Sequence, residues 1–426
     1  MNNPYASGNY YRASLGEAPV RPKLSGNLRA DVCIAGGGFT GLSAALHLVN
    51  SGARVILIEA ETIGFGASGR NGGQIHTGYR QTQQQLEQWL GEIHARDLWR
   101  LAEESKVLLR ELVAHYAIDC TPKSGLVIAA HNKRAVRALA EETDYLKAHY
   151  GYTPARMMGA AETAQQLGTE VYPAARFDSG GGHLQPLAFA RGVARAAIHE
   201  GARIHEFTRA MQIDNSAHSI RVICENGSVE ADWLILACDA FTGALVPELA
   251  PYIAHVESFM SATEPLPDEL YTEVLPSDAA VADTRHVLDY YRKSDDRRML
   301  FAGRESYFGV PQKIAPLVRP RMLRVYPALK AVRTEYAWRG TVGITRTRMP
   351  HFGRLNARVL FAHGYSGQGV ALANLGGKLM AEAVLGRPEQ FEVLARVPAK
   401  KFPGGAHWRK PLVAAALLWF KLLDFL

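Results

Sequence analysis

A glycine-rich turn followed by an acid has the residue types and the spacing that hold a dinucleotide. Gly36, Gly38 and Gly41 form a G-x-G-x-x-G pattern. Glu59 follows the last of these glycines by 18 residues. The glycines permit a tight turn, a close approach of the backbone to a pyrophosphate, and close packing of a helix on a strand. The acid can accept a hydrogen bond from an adenosine ribose, which favours an unphosphorylated 2′-hydroxyl.

These residues need a strand, a helix and a second strand to position them. Residues 31–35 are a short apolar run before the glycines, and residues 54–58 are a second run that ends at the acid. Apolar residues recur at helical spacing from Leu42 to Val49. The helix would point its free N–H groups and the positive end of its dipole at the phosphates. The pattern predicts a βαβ unit that binds a dinucleotide; a plain βαβ unit with a glycine turn is the alternative.

Length and composition are those of an ordinary globular enzyme. The chain has 426 residues, 47% of them hydrophobic and 21% charged, which is enough for two domains or one large discontinuous domain. The net charge of +7 is mild and the arginines are dispersed, so we expect no nucleic-acid partner. The N-terminus has no apolar segment typical of a signal peptide, which makes the cytoplasm the expected location.

The four cysteines are scattered along the sequence and form no C-x-x-C pair. This spacing suggests neither a disulfide framework nor a metal site. Cys33, Cys224 and Cys238 lie in apolar, strand-like runs, so we expect buried thiols there.

A second glycine-rich segment, "GFGASGRNGG" at residues 64–73, follows the acid. A flexible surface loop is one interpretation. Flexibility alone does not require Ser68, Arg70, Asn71 and the nearby Gln74 to be packed among glycines, whereas close contact with a flat, extended ligand does.

The order of these motifs resembles the flavin-dependent D-amino-acid oxidase and sarcosine oxidase superfamily. Residues 64–73 are similar to a segment of that superfamily, and residues 358–386 resemble its C-terminal strand, glycine-rich turn and helix. A helix N-terminus there would stabilise the negative charge of a reduced flavin. The resemblance covers about residues 31–386 and implies that FAD contacts Gly36, Gly38, Phe39, Thr40, Gly41, Glu59, Ala60, Ser68, Arg70, Asn71, Gly72, Gly73, Gln74, Met211, Ala237, Gly364, Tyr365, Ser366, Gly367, Gln368 and Gly369.

The same resemblance implies an α/β fold with a discontinuous Rossmann-type FAD-binding domain and an inserted α+β substrate domain that carries an antiparallel sheet. We assign residues 1–80, 151–242 and 338–410 to the first domain and residues 81–150 and 243–337 to the second. Relatives that bind FAD covalently use a late cysteine or a histidine near the first loop. No cysteine follows Cys238, so we expect noncovalent FAD. A single G-x-G-x-x-G pattern also argues against enzymes with a second nucleotide site.

One group in the superfamily, the gamma-glutamylputrescine oxidoreductases, is most similar. The stretches "NYYRAS", "DVCIAGGGFTGLSAALHL" and "SYFGV" and an apolar tail carry that similarity. It implies oxidation of the free primary amine of a gamma-glutamylated di- or polyamine to an aldehyde, with hydride transfer to flavin N5 and release of ammonia. Oxygen or a membrane electron acceptor would reoxidise the flavin. A D-amino-acid or sarcosine-type enzyme, and a non-catalytic or electron-carrying flavoprotein, remain the alternatives.

Candidate residues on the substrate side are His76, Tyr290, Tyr291, Arg304 and Trp338. The two tyrosines are adjacent on one predicted strand, so one of them must face away from the pocket. His76 could lie near the flavin or be hydrogen-bonded within its own loop. Trp338 could wall the flavin or fill the core.

An arginine could pair with a glutamyl carboxylate through two hydrogen bonds. Arg304, Arg292 and Arg285 are the candidates, and solvated surface positions are the alternative for each.

The C-terminal residues 411–426 are strongly apolar and follow several basic residues. They are too short to span a membrane, which takes a helix of about 20 residues. We expect a helix that docks on protein, and a peripheral membrane anchor is the alternative.

Overall fold

The computed structural model describes residues 8–19, 21–215, 219–306, 311 and 313–403. Its strands, in chain order, are β1 (Gly26–Ala35), β2 (Val55–Ile58), β3 (Gln74–Ile75), β4 (Lys123–Ala130), β5 (Ala155–Met158), β6 (Ala174–His183), β7 (Arg203–His205), β8 (Ala210–Asn215), β9 (Ile220–Cys224), β10 (Gly227–Leu236), β11 (Ile253–Thr263), β12 (Ala280–Asp283), β13 (Tyr290–Lys293), β14 (Met299–Ser306), β15 (Thr334–Thr345), β16 (His351–Asn356) and β17 (Val359–His363). Its α-helices are α1 (Tyr10–Leu15), α2 (Phe39–Val49), α3 (Gln83–Leu90), α4 (Glu92–His115), α5 (Lys133–Tyr150), α6 (Ala160–Leu167), α7 (Pro186–His199), α8 (Thr242–Leu245), α9 (Asp268–Glu273), α10 (Ala315–Val325), α11 (Gly369–Val384) and α12 (Glu389–Ala395).

The first sheet is mainly parallel and contains the predicted βαβ unit. Its strand order is β16-β17-β10-β1-β2-β7, and β8 and β9 extend it beside β10. The pairs from β17 through β10, β1 and β2 to β7 are parallel. All four residues of β2 are buried, as expected for a strand that is covered on both faces. Helix α2 connects β1 to β2, so the predicted strand, turn, helix and strand are confirmed.

Helices α2, α4, α7 and α11 cover one face of this sheet and share one hydrophobic core with it. Helix α4 contributes Leu98, Leu101 and Leu112 to that core. It lies within residues 81–150, which the sequence assigned to the substrate domain, yet it packs against α11. The reason is its continuous apolar stripe, which needs a partner face to bury it.

The second sheet is almost entirely antiparallel. Its order is β15-β11-β14-β13-β12-β4-β6-β3, with β5 also paired to β6, and only the β4–β12 pair is parallel among its described strands. Strands β13 and β14 form an antiparallel hairpin around a turn that includes residues 294–296. Strands β5 and β6 pair here, although residues 151–242 were assigned to the other domain. The fold class is confirmed. Strand β3 and most of β15 also belong to this sheet, although residues 1–80 and 338–410 were assigned to the FAD-binding domain, and the domain bounds stay a prediction.

The described residues include all four cysteines. Cys33, Cys120 and Cys224 are buried and Cys238 is partly buried, and none is in a disulfide. Residues 411–426 lie outside the described part of the chain, so their predicted helix stays a prediction. No helix among the described residues is long and apolar enough to cross a membrane.

Candidate cofactor site and substrate cleft

The start of α2 and the end of β2 form a cradle for the pyrophosphate and ribose of a dinucleotide. Helix α2 begins after Gly38 without a side-chain cap from that residue, and the Phe39 N–H donates to Ser68 Oγ at 3.0 Å. The partly buried Glu59 carboxylate accepts from the Gly37 N–H at 2.6 Å and from the Glu61 N–H at 2.9 Å. Burial raises the pKa of Glu59 despite these donors. Its remaining acceptor capacity suits ribose hydroxyls.

Two other predicted contacts lie around this cradle. The backbone of Ala237, directly after β10, packs behind the glycine turn, and its N–H donates to the Ala35 carbonyl at 2.8 Å. Met211 lies on β8 with 57% of its surface exposed. Its contact with adenine stays a prediction. The Cys238 thiol donates to the Ala35 carbonyl, at the ribose end, and noncovalent attachment of FAD also stays a prediction.

The segment of residues 64–75 is held in one conformation by its own side chains. Asn71 Nδ2 donates to the Ala67 and Ser68 carbonyls, and its Oδ1 accepts from the Gly73 N–H at 2.7 Å. Gly73 has φ of 74°, a left-handed conformation that suits glycine. Arg70 Nε donates to the Phe65 carbonyl at 2.6 Å. The loop is therefore rigid, and a flexible surface loop is not the correct interpretation.

Side chains from the second sheet hold the same loop. Arg292 Nε donates to the Gly72 carbonyl at 2.7 Å, and Gln74 Nε2 donates to the Val281 carbonyl at 2.8 Å. Arg285 pairs with Asp283. The hypothesis that Arg292 or Arg285 binds a substrate carboxylate is therefore wrong, because both guanidinium groups are engaged within the protein.

The glycine-rich turn before α11 meets the first cradle from the opposite side. The Tyr365 hydroxyl lies 2.8 Å from the Thr40 hydroxyl, so the turn is fixed to the start of α2. The Ser366 hydroxyl donates to the Gly364 carbonyl at 3.0 Å. The helix predicted after this turn is α11, which begins at Gly369, and its N-cap residue Gln368 gives no side-chain cap. Free N–H groups at this helix end are available to the pyrimidine end of a flavin.

Asp239 is a positioning residue that sequence reasoning missed. Its partly buried carboxylate accepts from the Gly364 N–H at 2.7 Å and from the Gly343 N–H at 3.3 Å. It thereby ties the turn before α11 to β15. An acid three residues after a strand with a buried end was the available signal.

The residues present fit FAD. Two helix N-termini, an acid at the ribose position and a rigid glycine-rich loop between them match the phosphate, ribose and ring portions of that molecule. The Gln368 Oε1 atom is buried and has no hydrogen-bond partner within the described residues. A buried acceptor without a partner in the protein is expected where a bound ligand donates a hydrogen bond to it.

A cleft lies between the two flavin loops and the second sheet. Its cavity volume is about 120 Å³. Its apolar lining comes from Val256, Leu288, Val342 and Ile344, and its flavin-side lining includes residues of both loops.

His76 and Tyr290 lie in the wall of this cleft. The Tyr290 hydroxyl is 2.9 Å from the Ser258 hydroxyl. A Cβ atom on Gly72 would lie only 2.9 Å from the Tyr290 ring, so the ring rests on the flavin loop. The His76 ring makes no hydrogen bond to any described residue, and the interpretation of a loop-bonded histidine is wrong. Burial and the nearby Arg80 lower the pKa of His76 to about 4.

The other three candidates lie away from the cleft. Tyr291 points to the opposite face of β13 and stacks on Phe301 in the core of the second sheet, so the prediction that one tyrosine faces away is confirmed. Trp338 is 2% exposed and its Nε1 donates to the Arg70 carbonyl at 3.0 Å, which supports the core-filling alternative. Arg304 is exposed on β14 and does not line the cleft.

Three charged residues of the cleft were missed by sequence reasoning. Arg80, Glu305 and Arg348 line it together with the predicted residues. They come from a loop, a strand end and a turn that are far apart in the sequence, and none belongs to a motif.

Comparison with known proteins identifies the family. Residues 31–383 match the family model described as FAD dependent oxidoreductase. The chain belongs to this family. It is an FAD-dependent oxidoreductase.

Curated relatives match the oxidoreductase over its whole length. It is 37% identical over 424 residues to the probable oxidoreductase OrdL of Rhizobium meliloti (strain 1021), covering 99% of each chain. It is 35% identical over 420 residues to the gamma-glutamylputrescine oxidoreductase of Escherichia coli (strain K12), covering 98% of each.

Solved structures agree on the fold of the oxidoreductase. The crystal structure of glycine oxidase from Geobacillus kaustophilus superposes with a TM-score of 0.73 at 20% identity, over 84% of this chain and 95% of that one.

Proposed function

We propose that this enzyme oxidises the free primary amine of a gamma-glutamylated di- or polyamine, of the gamma-glutamylputrescine type, to an aldehyde with release of ammonia. The observation that carries the proposal is the 35% identity to a gamma-glutamylputrescine oxidoreductase over 98% of both chains. The cleft between the two flavin loops and the second sheet supports the proposal, since a substrate bound there would face the flavin ring.

The proposed reaction uses FAD as the two-electron acceptor and water as the source of the aldehyde oxygen. Bound FAD supplies the acceptor for a hydride from the carbon that bears the amine. Loss of that hydride and of a proton from nitrogen converts the amine to an imine, and water then replaces the nitrogen to give aldehyde and ammonia. The chain itself must bind the amine in its neutral form, although a free alkylamine has a pKa of about 10.4.

The cleft lining favours a neutral amine by desolvation. Val256, Val342 and Ile344 surround the substrate space with apolar surface, which lowers the pKa of a bound amine. Tyr290 stays protonated, because burial raises its pKa well above 10. His76, with a pKa of about 4, stays neutral in the physiological range. Neither side chain titrates near neutral pH, so the pH dependence of the rate is expected to report the amine itself.

An anaerobic panel of amines tests this function. We expect gamma-glutamylputrescine to remove the oxidised-flavin absorbance of the FAD-loaded enzyme and to release one ammonia per flavin reduced. Glycine, sarcosine and D-alanine are the comparison amines, and buffer alone is the control. Reduction by the amino acids but not by the glutamylated amine, or by no amine at all, would overturn the proposal.

Two substitutions of Tyr290 distinguish the contribution of its ring to the rate from that of its hydroxyl. We expect Tyr290→Phe to keep its FAD and to slow flavin reduction by about 2- to 10-fold, the worth of one ordinary hydrogen bond. Tyr290→Ala also removes the wall beside Gly72 and should be slower still. Tyr291→Phe is the matched control on the other face of the strand and should leave the rate unchanged. A loss above about 100-fold in Tyr290→Phe would instead place the hydroxyl in the chemistry, since that exceeds one neutral hydrogen bond.

A further inference from the structure

Two arginines point into the substrate cleft from different parts of the chain. Arg80 follows the flavin loop, and Arg348 lies in the turn between β15 and β16. Both are lining residues of the cleft, and the side chain of Arg80 keeps surface open to it. Desolvation and then the positive charge of Arg348 lower the pKa of Arg80, and the nearby Glu305 carboxylate opposes them.

The backbone fixes the two arginines relative to one another. Gln81 Nε2 donates to the Thr347 carbonyl at 2.8 Å, which ties the loop next to Arg80 to the turn that carries Arg348. The Arg348 N–H closes this turn on the Thr345 carbonyl at 3.2 Å, with Arg348 at φ of 62°. A non-glycine residue rarely adopts this left-handed conformation, so the turn is a specified feature of the fold.

Neither guanidinium group has an ion pair or a hydrogen bond to another residue in the described ranges. This contrasts with Arg70, Arg285 and Arg292, which are all engaged within the protein. The charged lining consists of Arg70, Arg80 and Arg348 against Glu305, so three positive charges and one negative charge leave a net charge of +2. Two neighbouring cations in a cleft of net positive charge attract an anionic group of a ligand.

We propose that Arg80 and Arg348 together bind the α-carboxylate of the glutamyl group, at the end of the substrate opposite the reacting amine. This inference rests on the proposed function and adds the residues that recognise the glutamyl group. Guanidinium groups match a carboxylate in charge and in hydrogen-bond geometry. A free diamine has no carboxylate and would leave both cations unpaired, so the pair also selects the glutamylated amine over the free one.

The test compares two substrates that differ only in the charge of one group. Gamma-glutamylputrescine is compared with its analogue in which the α-carboxylate is a carboxamide. Both are offered to FAD-loaded wild type, Arg80→Gln, Arg348→Gln and the double variant. We expect wild type to prefer the acid in kcat/KM, and each single variant to lose about 10- to 100-fold of that preference, mainly through KM. In the double variant the two compounds should react equally.

Arg346→Gln is the matched control, because it removes the same charge from an exposed position in the same turn. It should keep the full preference for the acid, and flavin content shows that each variant is folded. If wild type oxidises acid and amide equally well, or if the variants lose both substrates in parallel, the carboxylate assignment is overturned while the proposed function stands. If wild type oxidises neither compound, the proposed function fails as well.

Discussion

The Gly41→Ala variant is expected to bind FAD at least about tenfold more weakly than wild type and to purify largely without it. A Cβ atom on Gly41 would overlap the carbonyl oxygen of Gly36 and lie 3.3 Å from Ile34 Cγ2. Backbone cannot move aside as a flexible side chain can, so the start of α2 must shift away from β1. The N–H groups that face the pyrophosphate shift with it.

Gly159→Ala is the matched control for this substitution. Gly159 precedes α6, and an added Cβ would meet no heavy atom within 4 Å. Flavin absorbance per chain measures retention, and titration of the apoprotein with FAD measures affinity. Circular dichroism distinguishes a folded apoprotein from an unfolded chain. Stoichiometric FAD of wild-type affinity in Gly41→Ala would show that the close approach of α2 to β1 is not required.

Acidification is expected to destabilise the folded protein steeply below pH 6.5, and the two histidines with the lowest pKa values contribute most. Burial lowers the pKa of both His183 and His363 to about 3. The nearby Arg292 lowers that of His183 further, and His351, whose Nδ1 lies 2.8 Å from His363 Nε2, lowers that of His363. Between pH 6.5 and 3 the unfolded chain binds protons that the folded chain does not. Stability from these groups is thus complete above pH 6.5 and falls by about 1.4 kcal/mol per pH unit for each histidine.

A substitution at His183 isolates its share of this acid sensitivity. Glutamine can keep the hydrogen bond that His183 Nε2 shares with the Asp278 carbonyl at 3.0 Å, and it does not titrate. Urea unfolding of wild type and His183→Gln at pH 7 and pH 5 gives the two losses of stability. We expect wild type to lose about 2 kcal/mol more than the variant over this interval. His199→Gln, at an exposed position, should follow wild type. Equal losses in wild type and His183→Gln would contradict the assignment.

The sequence by itself determined the cofactor-binding half of this protein. The glycines, the acid at Glu59 and the helix that starts at Gly369 are local features, because a turn, a strand end and a helix start depend on residues near one another in the chain. For the same reason the hairpin of β13 and β14 was predictable from its strands and turn. The alternation of strand side chains also required Tyr290 and Tyr291 to face opposite ways.

The tertiary structure decided which side chains face the substrate cleft. Sequence reasoning could not say which of the two tyrosines faces it, and it proposed Arg304, Arg292 and Arg285 as partners for a carboxylate. The structure instead brings Arg80 and Arg348 together. Their proximity depends on how the second sheet and the turn before β16 pack on the flavin loops. Such contacts between distant segments depend on how whole faces of sheets and helices pack together. The spacing of residues within a short segment does not encode that packing.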